Sequence, residues 1–173
     1  MSVIGVGLDI VPIERIERAM NRTPGFIDYV FTSAEQKYCN KKALPQVHYA
    51  ARFAAREAVL KALGCGIFSG IKMKDLEVLL DKNGAPYMEF SGRAKQIMDE
   101  KGIVSVQISL SHTSELAIAN AVAITEMAIP AKESKESAKE QLTKNFKEAR
   151  LVLDELDELS KQASFKVSSK QGR

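Results

Sequence analysis

Two carboxylates and one lysine are the residues of this chain best suited to chemistry. Asp9 lies in an otherwise apolar stretch, residues 4–11, and Glu57 and Lys61 lie four residues apart in a stretch of helical character. A carboxylate buried without a partner is costly, so Asp9 must lie at an exposed strand end, be paired or hold a metal. Two carboxylates from distant segments, with a lysine nearby, suit Mg²⁺, which takes oxygen ligands, keeps several waters and is completed by substrate phosphates.

Each carboxylate also has a purely structural interpretation. Asp9 can cap a helix that starts at Pro12, because its side-chain oxygen can accept a hydrogen bond from a backbone N–H of the first turn. Glu57 can form an i,i+4 ion pair with Lys61, a common stabilising pair on helix surfaces. The residue types alone leave both interpretations open.

The elements that must position these residues are of mixed type. Strand-length apolar runs and helical spacing follow one another in the order β-α-α-α-β-β-α-β-β. Because no βαβ unit repeats, we expect an α+β fold with a small antiparallel sheet packed by helices, not a doubly wound parallel sheet. The predicted strands span residues 3–11, 76–80, 87–90, 104–110 and 116–124, and the predicted helices begin near Pro12 and span residues 32–42, 47–63 and 91–101.

Local signals mark several of these boundaries. Thr32 and Glu35 have the spacing of a capping box, which explains Glu35 without a catalytic role. Gly64 is placed to end the long helix. The turn-rich stretch 81–84 predicts a hairpin between two short strands.

Composition excludes several classes of protein. The chain has 173 residues, 45% apolar and 27% charged, which is typical of soluble globular proteins. No stretch approaches the roughly 20 apolar residues of a membrane span, and the N-terminus lacks the features of a secretory signal. We therefore expect a cytoplasmic protein with Cys39 and Cys65 reduced. A net charge of +3, 6% aromatic residues and no tryptophan leave a nucleic-acid binder without a stacking platform.

Several common catalytic motifs are incomplete or missing. The stretches 5–10 and 64–69 begin like dinucleotide-binding fingerprints but lack the third glycine, and the chain contains no P-loop. Ser111 and His112 are neighbours on a predicted strand and therefore point to opposite faces, which argues against a nucleophile pair. Two histidines and two scattered cysteines give a zinc site little support.

The composition changes near Ile124, so we expect two parts, a compact domain in residues 1–125 and a charged accessory helical tail in residues 126–173. The segment 131–140 is mixed in charge and free of large apolar residues, which is typical of a solvated helix or a linker. A 4-3-4-3 spacing then predicts a short amphipathic helix that packs on its own subunit or on a neighbour. This spacing is formed by Leu142, Phe146, Ala149, Leu153 and Leu156.

Four groups of residues in the compact domain form a further pattern. They are Gly7-x-Asp9 with Arg15, Phe31-Thr32-x-x-Glu35, Arg52-Phe-Ala-Ala-Arg-Glu-Ala58 with Lys61, and Ser109-Leu-Ser-His-Thr113. In order and spacing they resemble the holo-[acyl-carrier-protein] synthase family, the small 4′-phosphopantetheinyl transferases, over residues 3–124. The resemblance implies transfer of the 4′-phosphopantetheine arm from coenzyme A to a serine of apo acyl carrier protein, in fatty acid biosynthesis, with release of adenosine 3′,5′-bisphosphate.

The resemblance also implies the roles of individual residues. Asp9 and Glu57 match the family's Mg²⁺ ligands, and Lys61 matches its phosphate-binding lysine. Glu57, directly or through a metal-bound water, is the candidate to accept the serine proton. Arg52 and His112 match positions near the coenzyme's nucleotide, while a hydrogen bond to its own backbone is the alternative for His112.

Partners follow from the same resemblance. Family members form homotrimers with the active site between subunits, and they present basic residues of the first helix to an acidic helix of the carrier protein. Arg15, Arg18 and Arg22 fall on one face of the first predicted helix, for which a merely solvated face is the alternative. Arg56 stands where many relatives have lysine, so we expect altered phosphate contacts there. A non-catalytic module that holds an acidic carrier or a nucleotide is the competing hypothesis.

Overall fold

The computed structural model describes residues 4–66 and 69–128, together with residues 147 and 150. The chain divides into two units, Met1–Ile129 and Pro130–Arg173, and the fold given below is that of the first unit. Apart from residues 126–128, 147 and 150, the expected accessory tail lies outside the described residues, so its helix stays a prediction.

The first unit is an α+β fold, as the sequence pattern predicts. Its strands are β1 (Ile4–Pro12), β2 (Leu76–Leu80), β3 (Pro86–Phe90), β4 (Ile103–His112) and β5 (Leu116–Thr125). Its helices are α1 (Ile13–Arg22), α2 (Phe26–Val30), α3 (Ser33–Cys39), α4 (Pro45–Ala62) and α5 (Gly92–Glu100), with 3₁₀ turns at Met73–Asp75 and Glu126–Ala128. No helix among the described residues has the length and apolar character needed to cross a bilayer.

The strands form two antiparallel sheets where one is predicted. One sheet has the order β1-β5-β4 and the other pairs β2 with β3. The hairpin predicted at residues 81–84 is confirmed: Gly84 has φ +82°, and Asp81 Oδ1 accepts hydrogen bonds from the N–H groups of Asn83 and Ala85, both at 2.8 Å.

Helix α2 is missing from the prediction. Its five residues follow Gly25, whose φ of +75° turns the chain sharply after α1. A single turn and a half shows no hydrophobic period, and so short a helix depends on tertiary packing. Here Phe26 supplies that packing, because its ring meets the buried Phe31 ring edge-on at 6.2 Å.

Helix α4 begins with a proline and ends at a glycine, as expected of a long helix. Pro45 occupies its first turn, where no N–H partner is required, and Gly64 adopts the left-handed conformation just after it, at φ +62°. The face of α4 that meets the sheet is built from small residues, and so is the facing side of β5. These residues are Ala54, Ala55, Ala58 and Ala62 on α4 and Ala117, Ala119, Ala121 and Ala123 on β5.

Glycines allow β1 to lie against the backbone of α4. A Cβ added at Gly5 would meet the Ala62 carbonyl oxygen at 2.0 Å, and one added at Gly7 would meet the Ala58 carbonyl oxygen at 1.9 Å. Real Cβ atoms do not approach carbonyl oxygens so closely, so only glycine fits at either position without moving the helix. This contact sets the distance between β1 and α4.

The opposite side of α4 holds a buried ion pair. Arg56 is fully buried, and its guanidinium donates hydrogen bonds to the Glu35 carboxylate, to the Met73 carbonyl at 2.9 Å and to the Arg52 carbonyl at 3.0 Å. The expectation that Arg56 contacts a phosphate is therefore wrong, because all of its donors point into the protein. The capping box of Glu35 with Thr32 is confirmed, but Glu35 also accepts from Arg56 and, at 3.0 Å, from the Val78 N–H.

We expect Gly7→Ala to lower the free energy of unfolding by about 2–3 kcal/mol, the cost of forcing extra atoms into a packed core. The added methyl group must push α4 away from β1, since the atom it meets is backbone. Urea unfolding measures the change. Gly66→Ala is the matched control, because no atom of the described residues lies within 4 Å of a Cβ built there, apart from its chain neighbours, and its φ is not positive. Equal stabilities for the two variants would contradict the proposed close contact.

Candidate active site

Asp9 lies on β1 where the strand faces α4. It follows Gly7 at the next inward position and pairs with Ala119 of β5. Its side chain is 16% exposed, and the Lys61 ammonium donates hydrogen bonds to Asp9 Oδ1 and to the Leu8 carbonyl, each at 2.8 Å. The alternative of a helix cap is wrong, because the residue before α1 is Pro12 and no side chain caps that helix end.

Glu57 lies one turn before Lys61 on α4 and is half-buried. The ion pair between Glu57 and Lys61, given as the structural alternative, does not form, because the Lys61 ammonium turns to Asp9. Burial raises the pKa of the Glu57 carboxyl, and the negative charge of Asp9 raises it further, while Lys61 and Arg15 act in the opposite direction. Asp9 and Glu57, called the carboxylate pair below, therefore act on each other electrostatically across the contact between β1 and α4.

The carboxylate pair fits a magnesium ion by the chemistry of its donors. Two carboxylates that repel each other gain from a shared dication, and Mg²⁺ is usually held by one or two carboxylates with waters and substrate phosphates in the remaining positions. No group of three or more His, Cys, Asp and Glu side chains in residues 4–66 and 69–128 is placed to hold a metal. The site therefore suits an ion completed by phosphate and not a closed structural centre.

A second group of residues, called the basic cluster below, surrounds the ring of Tyr38. The Arg52 guanidinium lies 4.2 Å and the Lys42 ammonium 4.5 Å from the ring centroid, and the His48 ring packs edge-on at 5.7 Å. Burial lowers the pKa of His48, and the nearby charges of Arg52, Lys42 and His112 lower it further. The basic cluster therefore consists of Tyr38, Lys42, His48, Arg52 and His112. It carries positive charge at the start of α4.

His112 and Arg52 occupy different environments within the basic cluster. His112 ends β4 and is exposed, and its Nδ1 lies 3.2 Å from the Thr113 carbonyl oxygen, which is the backbone contact given as the alternative. Arg52 is only 3% exposed, and its Nε has no hydrogen-bond partner in the described part of the chain. The contact of Arg52 with the nucleotide stays a prediction.

The basic residues of α1 are exposed, as a docking face requires. Arg15, Arg18 and Arg22 lie at i, i+3 and i+7, and Arg18 forms a loose ion pair with Glu14 at 3.8 Å. Arg15 lies close enough to Glu57 to lower its pKa. The basic face of α1 therefore begins at the carboxylate pair.

Sequence reasoning missed three members of the basic cluster, Tyr38, Lys42 and His48. The sequence could have indicated one of them, because His48 precedes Arg52 by four residues and therefore lies on the same face of α4. Tyr38 and Lys42 have no such signal, since they come from the end of α3 and the loop after it. Their convergence depends on how α3 packs on α4.

The fold and this site define a class of protein, and a family model identifies it. The model described as ACPS, 4′-phosphopantetheinyl transferase superfamily, matches residues 5–121, which contain every site residue named above. The chain therefore belongs to the 4′-phosphopantetheinyl transferase superfamily.

Within that superfamily its relatives are holo-[acyl-carrier-protein] synthases. The one from Syntrophus aciditrophicus is 46% identical over 112 residues, which are 64% of this chain and 88% of that protein, and the one from Thermoanaerobacter sp. is 44% identical over 119 residues, 69% and 86%. The crystal structure from Plasmodium yoelii aligns with a TM-score of 0.64 at 30% identity, covering 72% of this chain and 97% of that one. The Helicobacter pylori structure in complex with coenzyme A aligns at 0.61 and 33%, covering 68% and 98%.

We expect Asp9→Asn to lower the pKa of Glu57 toward the ordinary value of a glutamate. The substitution removes the negative charge of Asp9, which raises the pKa of Glu57. It also releases the Lys61 ammonium from Asp9, and the positive charge of Lys61 lowers the pKa of Glu57. A carbon-detected NMR titration without divalent metal measures the shift. Asp99→Asn, which removes a surface carboxylate paired with Lys95, is the control and should leave Glu57 unchanged. An unaltered Glu57 titration in Asp9→Asn would show that the two carboxylates do not interact.

Proposed function

We propose that the carboxylate pair and Lys61 carry out the reaction of this family. The chain is a transferase that moves the 4′-phosphopantetheine arm of coenzyme A onto a serine of apo acyl carrier protein and releases adenosine 3′,5′-bisphosphate. One observation supports this assignment above others: Lys61 binds Asp9 beside Glu57, so a cation and two carboxylates of distant origin meet at one point.

In the proposed reaction, the serine oxygen forms a bond to the phosphorus that carries the arm. The bond from that phosphorus to the bridging oxygen breaks, and the leaving group is adenosine 3′,5′-bisphosphate. Glu57 accepts the serine proton, directly or through a water, and its raised pKa makes it a stronger base than an ordinary glutamate. Lys61 binds phosphate oxygens as a compact positive charge, which stabilises the charge that develops on them.

Asp9 and Glu57 would hold the Mg²⁺ ion. When bound, the ion supplies positive charge that neutralises the leaving phosphate. The reaction then requires little covalent chemistry from the side chains, because phosphoryl transfer depends mainly on positioning and charge.

We assign the nucleotide end of coenzyme A to the basic cluster. His112 is its exposed member, so it supplies a direct contact to a phosphate or to adenine, with Lys42 and His48 beside it. The buried Arg52 adds a positive charge behind Tyr38, and its contact with a phosphate or with adenine remains part of this proposal.

The outward face of the three-stranded sheet supports the proposed homotrimer. Val6, Leu8 and Ile10 on β1 are 64%, 51% and 53% exposed, although they belong to a regular strand next to the site. Such a row of apolar side chains is typical of a surface that another subunit covers. Subunits packed through this face would bring neighbouring chains close to the carboxylate pair. A cytoplasmic location stays a prediction from the sequence.

We expect Asp9→Asn and Glu57→Gln each to reduce the transfer rate about 100-fold or more, as the loss of one preorganised charge does at similar sites. The measurement is mass spectrometry of apo carrier protein incubated with coenzyme A and Mg²⁺, since transfer adds roughly 340 Da to the serine.

Glu100→Gln is the matched control, because Glu100 is an exposed carboxylate paired with Arg93 and should keep the normal rate. If both site variants are folded and retain full activity, the carboxylate pair does not carry the reaction. A non-catalytic binding module would instead give no product with the unaltered chain and would bind its partner without regard to Mg²⁺.

The basic face of α1 should set the affinity for the carrier. We expect Arg18→Glu and Arg22→Glu to raise KM for the carrier about tenfold while kcat changes little, because charge on an interface rim mainly controls encounter. Steady-state kinetics at low and high salt tests this expectation. Added salt should reduce the difference in KM between the variants and the unaltered protein. Lys82→Glu, an equal charge reversal in the β2–β3 turn, is the control. A solvated face without a partner would give the same KM in all of these variants.

A further inference from the structure

Two interactions compete for the ammonium group of Lys61. In the proposed reaction this group binds phosphate oxygens, yet it donates hydrogen bonds to Asp9 Oδ1 and to the Leu8 carbonyl, each at 2.8 Å. An ammonium has three N–H donors, so two of them are already used on β1. The carboxylate that Lys61 binds is also one of the two that are assigned to Mg²⁺. Lys61 therefore holds a ligand that the metal ion needs.

The ion pair between Lys61 and Asp9 is placed where it can be broken. The Lys61 side chain is 53% exposed, whereas that of Asp9 is 16% exposed. An ion pair with one partner in water contributes little free energy, because the Coulomb attraction is weak there and ordering a long side chain opposes it. Lys61 can therefore leave by rotation about its own side-chain bonds, while the packing of β1 on α4 keeps the carboxylate in place.

A divalent ion and the Lys61 ammonium cannot both bind the Asp9 carboxylate without repelling each other. At equal distance a dication repels an ammonium twice as strongly as a second ammonium would. Lys61 also lies close enough to Glu57 to lower the pKa of that carboxyl. Its positive charge therefore acts on both members of the carboxylate pair, which is also what a bound divalent ion would do.

We propose that Lys61 is an exchangeable counter-ion of the carboxylate pair: its ammonium neutralises Asp9 until a divalent ion binds there, and it then moves to phosphate oxygens of coenzyme A. The inference rests on the proposed function, which assigns the ion to the carboxylate pair and phosphate to Lys61. It adds a competition to that function, because Lys61 lowers the affinity of the carboxylate pair for a metal ion that arrives alone.

This exchange couples the binding of the two ligands. When Lys61 leaves Asp9, its ammonium gains a new anionic partner only if phosphate oxygens are present. Phosphate therefore raises the affinity of the carboxylate pair for the ion, and by linkage the ion raises the affinity for phosphate by the same factor. The site consequently favours metal and coenzyme together over metal alone.

The first test measures metal binding by the full chain without coenzyme. Electron paramagnetic resonance of free Mn²⁺, an ion that carboxylate and water ligands also suit, gives the affinity at mildly alkaline pH, and Mg²⁺ is then added as a competitor. We expect Lys61→Met to bind Mn²⁺ about tenfold tighter, because the substitution removes both the ion pair that must be broken and the charge that repels the metal. Lys61→Arg keeps the charge and should stay within about threefold of the unaltered protein.

Arg15→Met is the matched control for the loss of one positive charge. Arg15 also lies close enough to Glu57 to lower its pKa, but the ion pair of Asp9 is with Lys61. The substitution removes charge near the site without releasing a carboxylate, so we expect Mn²⁺ to bind at most about twofold tighter. Equal gains in Arg15→Met and Lys61→Met would overturn the proposal, because net charge alone would then explain both.

A second measurement follows the ammonium in the unaltered protein. In nitrogen NMR of the lysine side chains, the Lys61 signal is identified by its loss in Lys61→Arg. Saturating Mg²⁺ without coenzyme should move this signal toward that of the exposed Lys82, and coenzyme A added with Mg²⁺ should move it to a third position. Lys95, which pairs with Asp99 on the surface, should keep its signal throughout.

Two further results would overturn the proposal: Mn²⁺ that binds Lys61→Met no tighter than the unaltered protein, or a Lys61 signal that saturating Mg²⁺ leaves in place. Both results leave the assignment of the metal to the carboxylate pair intact. A failure of the proposed function gives a different result, since a folded chain that binds no Mn²⁺ even with coenzyme A present has no metal site at the carboxylate pair.

Discussion

Backbone contact between α4 and β1 is the constraint on which the rest of this structure depends. The carbonyls of Ala58 and Ala62 lie where Cβ atoms of Gly7 and Gly5 would be. Asp9 lies two residues beyond Gly7 on the strand. The Lys61 ammonium of the helix lies within hydrogen-bonding distance of the Asp9 carboxylate. A larger residue at either glycine would move the helix outward and separate the carboxylate from the ammonium. The geometry of the site therefore depends on these two glycines, which have no side chain to hold the helix away from the strand.

The other side of α4 is held by charge instead of small residues. Arg56 and Glu35 are buried together, and Arg52 lies next to them with its Nε 4.0 Å from the same carboxylate. Removing one partner of a buried pair leaves an uncompensated charge, which is far more costly than losing a surface pair. This network connects α4 to α3 and, through the Val78 N–H, to β2. It also keeps Arg52 against Tyr38, so the basic cluster is supported from within the core.

Much of the fold follows from local signals, and the elements that the sequence did not predict depend on tertiary contacts. The capping box at Thr32, the turn at Gly84 and the end of α4 at Gly64 are all where the sequence predicts them, because each depends on neighbouring residues alone. Helix α2 was missed because five residues are too few to show a period. The division into two sheets was missed as well, since strand pairing depends on contacts between distant segments.

The sequence by itself determined the α+β class, the candidate residues Asp9, Glu57 and Lys61 and the resemblance that assigns them chemistry. It could not decide whether Lys61 pairs with Glu57 or with Asp9, because both pairings satisfy its charge. Tertiary structure made that choice by bringing β1 against α4. It also buried Arg56, at which the resemblance implied altered phosphate contacts. Helical spacing gives the direction of a side chain around its own helix, but only the packing of other elements decides whether that direction is core or solvent.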